Sequence, residues 1–176
     1  MKKYDLPQFN ELIEKSTIKP RLKRELRFTT STAHLSDEEW YTAELLPVTD
    51  RSGNTGVLII EFDDTTYVLP AEFKKGITSS VTGRSQPIIC DFCKTWQSGS
   101  RAGTIVFTNI NKTSNTIGYL CCADLRCSNH VRTKTDASKM SRAQLHEDMT
   151  NEQRVERLKV QLKGIIKNIH ALPISE

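Results

Sequence analysis

Cys90-Asp91-Phe92-Cys93 and Cys121-Cys122-Ala123-Asp124-Leu125-Arg126-Cys127 are the two stretches that decide the fold of this chain. Read together they spell C-x2-C-x28-C-x4-C. Four thiolates so spaced can close a tetrahedral shell around one zinc ion, at metal–sulfur distances of about 2.3 Å and with no open position. A C-x2-C pair alone is also the spacing of redox disulfides, which open a helix in a βαβ setting. Here the pair follows Ile88-Ile89 and leads into Gly/Ser-rich chain and a hairpin, so the metal reading is preferred. The order is a knuckle, a hairpin, a cysteine ending the hairpin's second strand, and a cysteine in the first turn of a helix. That is a treble-clef arrangement. The helix start supplies N–H groups and a positive dipole end, which favour a thiolate at Cys127.

Adjacent side chains on a strand point to opposite faces, so Cys121 and Cys122 cannot both be ligands. Cys122 gives the shorter return to Cys127, and the assigned set is Cys90, Cys93, Cys122 and Cys127. Cys121 shares a face with Ile117 and Tyr119 and is expected to be a buried free thiol. His130, three residues beyond Cys127, is an alternative ligand, although four cysteines already suffice. His34, His146 and His170 are scattered and define no site.

Working outward, Gly103–Thr108 and Thr116–Cys121 are the hairpin strands, and the polar stretch Asn109–Asn115 is their tip. Upstream, Trp40–Leu46, Gly56–Phe62 and Thr65–Leu69 are β-rich runs divided by Asp50-Arg51-Ser52-Gly53-Asn54 and Asp63-Asp64. They predict an antiparallel meander, with Gly53 and Gly56 serving turn geometry. Lys74–Gln86 reads as an internal loop. Before the meander, Gln8–Lys15 places Phe9, Leu12 and Ile13 at helical spacing, with Pro7 in the first turn. A second short helix is expected from caps at Ser16/Thr17 through Pro20 toward Leu26 and Phe28.

At the far end, Thr150-Asn151-Glu152-Gln153 is a capping box opening an amphipathic helix over 150–171. Its stripe is Val155, Leu158, Leu162, Ile165, Ile166 and Ile169, and Pro173 stops it. The expected fold class is therefore α+β: an antiparallel sheet flanked by helices, with a treble-clef zinc finger and a long C-terminal helix. One domain covers 1–176, divided into a short helical segment (1–34), the meander (35–86), the finger (87–135) and the C-terminal helix (150–171).

The composition, 37% hydrophobic and 26% charged over 176 residues, suits a globular chain that can bury a core. No apolar run approaches the roughly 18 residues of a membrane span. The segment after Met1 lacks an apolar leader, so the expected compartment is the cytoplasm, where cysteines hold metal more readily than they form disulfides. Residues 1–90 carry 12 basic and 13 acidic side chains, whereas residues 91–176 carry 13 and 8. The basic excess on the cysteine-bearing half favours an acidic partner, nucleic acid or protein. No nucleophile elbow, P-loop or H-E-x-x-H helix is present. The expectation is a binding protein and not an enzyme, with no small-molecule substrate and no membrane.

The stretch Asn115-Thr-Ile-Gly-Tyr-Leu-Cys-Cys-Ala-Asp-Leu-Arg-Cys-Ser-Asn-His-Val-Arg132 resembles the treble-clef domain of the elongation factor G-binding proteins, the FusB-type fusidic acid resistance proteins and their relatives. The shared pattern is N-T-x-G-x-x-x-C-A-D-L-x-C-S-x-x-V-R, preceded by a C-x2-C knuckle. The resemblance implies one structural zinc on Cys90, Cys93, Cys122 and Cys127. It also implies a bacterial cytosolic protein that binds elongation factor G and helps free it from stalled ribosomes. The resistance proteins carry an N-terminal helical bundle, whereas about 30 residues precede Leu35 here, so the chain resembles the domain alone. If the zinc-proximal surface is the contact, Phe92, Lys94, Trp96, Lys112, Tyr119 and Arg126 are its candidate residues. Aromatics beside cations suit a protein hot spot or RNA stacking. The alternative is an RNA- or ribosome-binding zinc module.

Overall fold

A computed structural model describes residues 1–62, 64–79, 82–108 and 115–174. These residues build a five-stranded antiparallel sheet from β1 (Leu45–Thr49), β2 (Thr55–Phe62), β3 (Thr65–Lys75), β6 (Ala102–Thr108) and β7 (Thr116–Cys122), side by side in that order. A small ribbon, β4 (Ile88–Ile89) with β5 (Trp96–Gln97), is inserted between β3 and β6. The α+β class is the one the sequence predicts.

The meander forms because β2 is apolar on both faces. Val57, Leu58, Ile59 and Ile60 are all fully buried, yet they feed two different cores. Val57 and Ile59 point to one core, whereas Leu58 and Ile60 point to the other. A strand covered on both sides reads as a continuous apolar run instead of an alternating one. Gly56 is needed for close approach, not for a turn: a Cβ there would run into the Val48 carbonyl of β1. Gly53, at φ +73°, is the turn glycine. β3 runs six residues beyond the expected Leu69, through Pro70. The missing N–H is tolerated because Pro70 pairs Val57 of β2, and pairing with β6 starts only at Ala71.

Four short helices cover the first face: α1 (Leu6–Lys15), α2 (Pro20–Glu25), α3 (Phe28–Thr32) and α4 (Asp37–Thr42). Phe9, Leu12, Ile13, Phe28 and Trp40 pack with Leu46, Val48 and Val68, and the Phe9 and Phe28 rings stack at 4.4 Å. Two expectations are corrected here. Trp40-Tyr41-Thr42 is helical, because Ser36 and Glu39 form a capping box that overrides the β-prone side chains; the strand starts at Leu45. Ser16 ends α1, and Phe28 opens a separate helix after Leu26 closes α2.

The second face carries α5 (Cys127–Val131) and α7 (Asn151–Asn168), and α6 (Asp136–Leu145) packs on β5 and α5. In α7 the predicted cap is present, with Thr150 Oγ1 accepting from Gln153 N at 3.3 Å. Leu158, Leu162, Ile165 and Ile169 are buried against Leu58, Ile60, Ile105 and Phe107, each contributing about 1.5–3 kcal/mol. Helix α6 has no counterpart in the sequence reading. Its buried face is Ala137, Ser138 and Ser141, which leaves no apolar stripe to detect.

Candidate metal centre

The knuckle Cys90–Cys93 is closed by Lys94 N donating to Cys90 O at 2.9 Å and Cys90 N donating to Thr95 O at 2.9 Å. Lys94 takes a left-handed φ of +57° to make that turn. Asp91 ties the knuckle to β7 twice: its N–H donates to Leu120 O at 2.8 Å, and its carboxylate accepts from Leu120 N at 2.7 Å. Cys122 stands at the end of β7, and Cys127 opens α5.

These elements bring the four sulfurs within 4.8 Å of one another, and all four side chains are buried. Cys90 Sγ lies 3.8 Å from Cys127 Sγ, and Cys93 Sγ lies 3.6 Å from Cys122 Sγ. A tetrahedron with metal–sulfur arms of about 2.3 Å has edges of about 3.8 Å, so the separations fit one zinc ion. They are far too long for disulfides, and all five cysteines are free. The donor set and the spacing define a structural zinc centre with every position filled by protein. Zinc supplies no reaction there; it crosslinks the knuckle, the hairpin and α5.

The surroundings are built for thiolates. Thr95 Oγ1 contacts Cys93 Sγ. Burial raises the Cys93 thiol, but hydrogen bonds from Cys122, Cys127, Cys90 and His130 outweigh it and hold Cys93 well down. The Cys127 thiol is pushed up by hydrogen bonding to Cys122, Cys90 and Cys93 and by burial. Metal binding therefore has to displace protons. His130 is buried with Nδ1 3.2 Å from Cys122 Sγ and Nε2 3.5 Å from Asp124 Oδ2. Burial opposes its charge, yet Asp124 and Cys93 hold its pKa up at about 9. His130 thus serves as a partner of a ligand sulfur, beside a complete set of four. Cys121 is buried on the opposite face of β7, its thiol pushed up by burial and by the charges of Cys90 and Cys93.

Two arginines of α7, buried Arg154 and half-buried Arg157, missed in the sequence because they read as part of its polar side, hold the centre from below. Arg154, 0% exposed, donates to Val131 O at 3.2 Å and Thr133 Oγ1 at 3.0 Å. Arg157 donates to Cys93 O at 3.4 Å. Both pair with Glu147, at 3.0 and 2.6 Å. On the far side α4 and Glu44 just after it grip α5 and its flanks through three carboxylates. Glu39 meets Arg126 and Asn129 at 2.6 Å each, Glu44 meets Arg132 at 2.6 Å, and Glu38 meets Lys134 at 2.8 Å.

The proposed contact residues divide accordingly. Phe92 is 0% exposed and packs beside Tyr119 at 6.1 Å, so it is corrected to a core residue; the knuckle turn drives it inward. Arg126 is 41% exposed but engaged by Glu39. Lys94, Trp96 and Tyr119 are half-buried around the knuckle. Lys112 lies outside the described residues. Two residues beside the knuckle went unnoticed in sequence: Ile89 is 49% exposed and Leu120 is 39% exposed. Both read as ordinary strand apolars, which left no signal.

A buried four-thiol cluster on a knuckle, a hairpin end and a helix start makes this a treble-clef zinc finger. More particularly, the chain belongs to the FBP C-terminal treble-clef zinc-finger family, whose model matches residues 15–169. No curated protein matches it, and no solved structure does. No helix among the described residues is long and apolar enough to cross a membrane.

Proposed function

We propose that the chain is a protein-binding zinc module whose partner is a translation factor, elongation factor G, and that its binding promotes release of the factor from stalled ribosomes. Family membership and the resemblance to elongation factor G-binding proteins support the partner class. One observation carries the contact surface: Ile89 and Leu120 stay exposed on either side of the zinc-pinned knuckle, with half-buried Trp96 paired to Ile89. Exposed apolar side chains around half-buried Trp96 on a rigid frame suit a protein contact, with Trp96 as the hot-spot anchor. The zinc contributes by fixing that frame, not by touching the partner.

A pull-down of elongation factor G with the tagged full chain, with and without nuclease, tests this reading. Retention of the factor after nuclease treatment is expected, with loss of it in an Ile89→Asp/Leu120→Asp variant that keeps its zinc. Failure to retain the factor in either condition would sink the proposal.

A further inference from the structure

We infer that a cleft on the opposite side of the finger loop binds the phosphodiester backbone of an RNA strand. The cleft, of about 670 Å³, opens between α3, the β1–β2 turn, the end of β3 and the loop Ala123–Leu125. Four cationic or donor side chains from three separate segments converge on it: Arg27, His34, Arg51 and Lys75. All four are exposed, and among the described residues none has a hydrogen-bond or ion-pair partner.

The contrast with the other charges nearby decides the sign. Arg126, Arg132 and Lys134, one helix away, are each matched by a carboxylate of α4 or Glu44. Two acids also line the cleft, and both are committed within the protein. Asp50 accepts from Ser52 Oγ at 2.8 Å and Gly53 N at 2.9 Å, inside its own turn. Asp124 accepts from Arg126 N at 3.1 Å and faces His130. Asp50 keeps its charge, since its donors are neutral, but Arg27, Arg51 and Lys75 outnumber it and the net charge of the cleft is positive, although residues 1–90 are slightly acidic as a whole.

The chemistry of the lining separates RNA from a protein partner. Hydroxyls of Thr30 and Thr49 stand among the cations, the side-chain set that contacts phosphate oxygens. Among the described residues that line the cleft, the only Phe, Tyr or Trp is Phe73, which is buried in the floor. Protein hot spots centre on exposed aromatic anchors. Base-reading surfaces need stacking rings too, so the cleft is expected to bind the backbone without sequence preference. This site is distinct from the knuckle surface and stands or falls without it.

Fluorescence anisotropy of the zinc-loaded full chain with a labelled mixed-sequence single-stranded RNA tests the inference, alongside a labelled polyglutamate peptide of equal charge. RNA is expected to bind, and more tightly than the peptide. With three strong cations engaged, affinity should drop about twentyfold between 50 and 200 mM salt, from about 0.7 released counterion per phosphate. Arg51→Gln/Lys75→Gln should weaken RNA binding at least tenfold and flatten the salt slope by about 1.4, with zinc content and melting temperature unchanged. Lys139→Gln/Lys167→Gln, equal in charge and remote from the cleft, should retain wild-type affinity. Equal losses in the two double variants, tighter binding of the peptide, or no RNA binding at 50 mM salt would each overturn the assignment.

Discussion

The two faces of the sheet are held by different physics. On the first, α1 to α4 pack Phe9, Phe28 and Trp40 over β1 and β2, and cohesion comes from buried hydrocarbon. On the second, α7 buries its own apolar stripe, but the segment between β3 and β6 has only two-residue strands, and there a metal crosslink supplies the cohesion. Chain too short and polar to bury enough surface needs a covalent or coordinate staple. A helical layer with its own aromatic cluster does not.

Removing the metal should therefore break the second face far more than the first. A structural zinc site is worth on the order of 10 kcal/mol. Chelation, or Cys127→Ser, is expected to abolish amide protection in the knuckle and α5 while Val57–Ile60 stay protected, read by hydrogen exchange with zinc content as control. Simultaneous loss at both places would show that the faces do not differ in this way.

Next in size come two truncations that probe the contrast side by side. Phe28→Ala should cost about 3–5 kcal/mol through a cavity in the aromatic cluster. Arg154→Ala should cost somewhat less, about 2–3 kcal/mol, by removing the donors to Val131 O and Thr133 Oγ1 and one of the two arginines on Glu147. Only the arginine variant should also weaken zinc retention, as competition with a chromophoric chelator would reveal; equal zinc affinity in both would refute the link between α7 and the centre.

The α4–α5 junction should respond to acid. Backbone hydrogen bonding at Ser36 leads in holding the Glu39 carboxyl at about 2; partial burial opposes it, and Asn129 and Arg126 add to the lowering. A depressed carboxylate stabilises the fold above its unfolded pKa, and that contribution fades as pH falls from about 4.5 toward 2. The stability gap between wild type and Glu39→Gln at pH 7, about 1 kcal/mol once solvent screening of the partly exposed carboxylate is allowed for, should shrink over that window in denaturant titrations. A gap that stays constant would remove Glu39 from the account.

The smallest effect belongs to Lys94. Its left-handed backbone favours glycine, so Lys94→Gly should change stability by less than about 1 kcal/mol, in the stabilising direction. A large loss would mean that the Lys94 side chain, 3.8 Å from Asp91, matters more than its backbone.

Legibility in the sequence followed the kind of force at work. Cysteine spacing, the Thr150 cap and the α7 stripe were readable because each is a local pattern with its own geometry. Helix α4 was legible in part: Ser36 and Glu39 announce it, but Trp40, Tyr41 and Thr42 argue for a strand. Helix α6 was opaque, since what it buries is serine, and Ser141 is there to accept from Trp96 N at 2.8 Å. Phe92 misled because an aromatic inside a knuckle looks available until the turn shows which way it points. Arg154 hid on the polar side of a helix whose neighbours, Val131 and Thr133, come from elsewhere in the chain.

The reciprocal bonds between Asp91 and Leu120 have a consequence for how the protein must be handled. β7 is an outer strand, and the knuckle occupies its outward N–H and C=O at Leu120. Stripped of zinc, the knuckle would lift and bare that rim beside Gly118 and the apolar Leu120 side chain. Such a rim recruits strands from other molecules. Preparations starved of zinc should cloud or gel before they unfold, and prompt resupply of the metal should keep them clear.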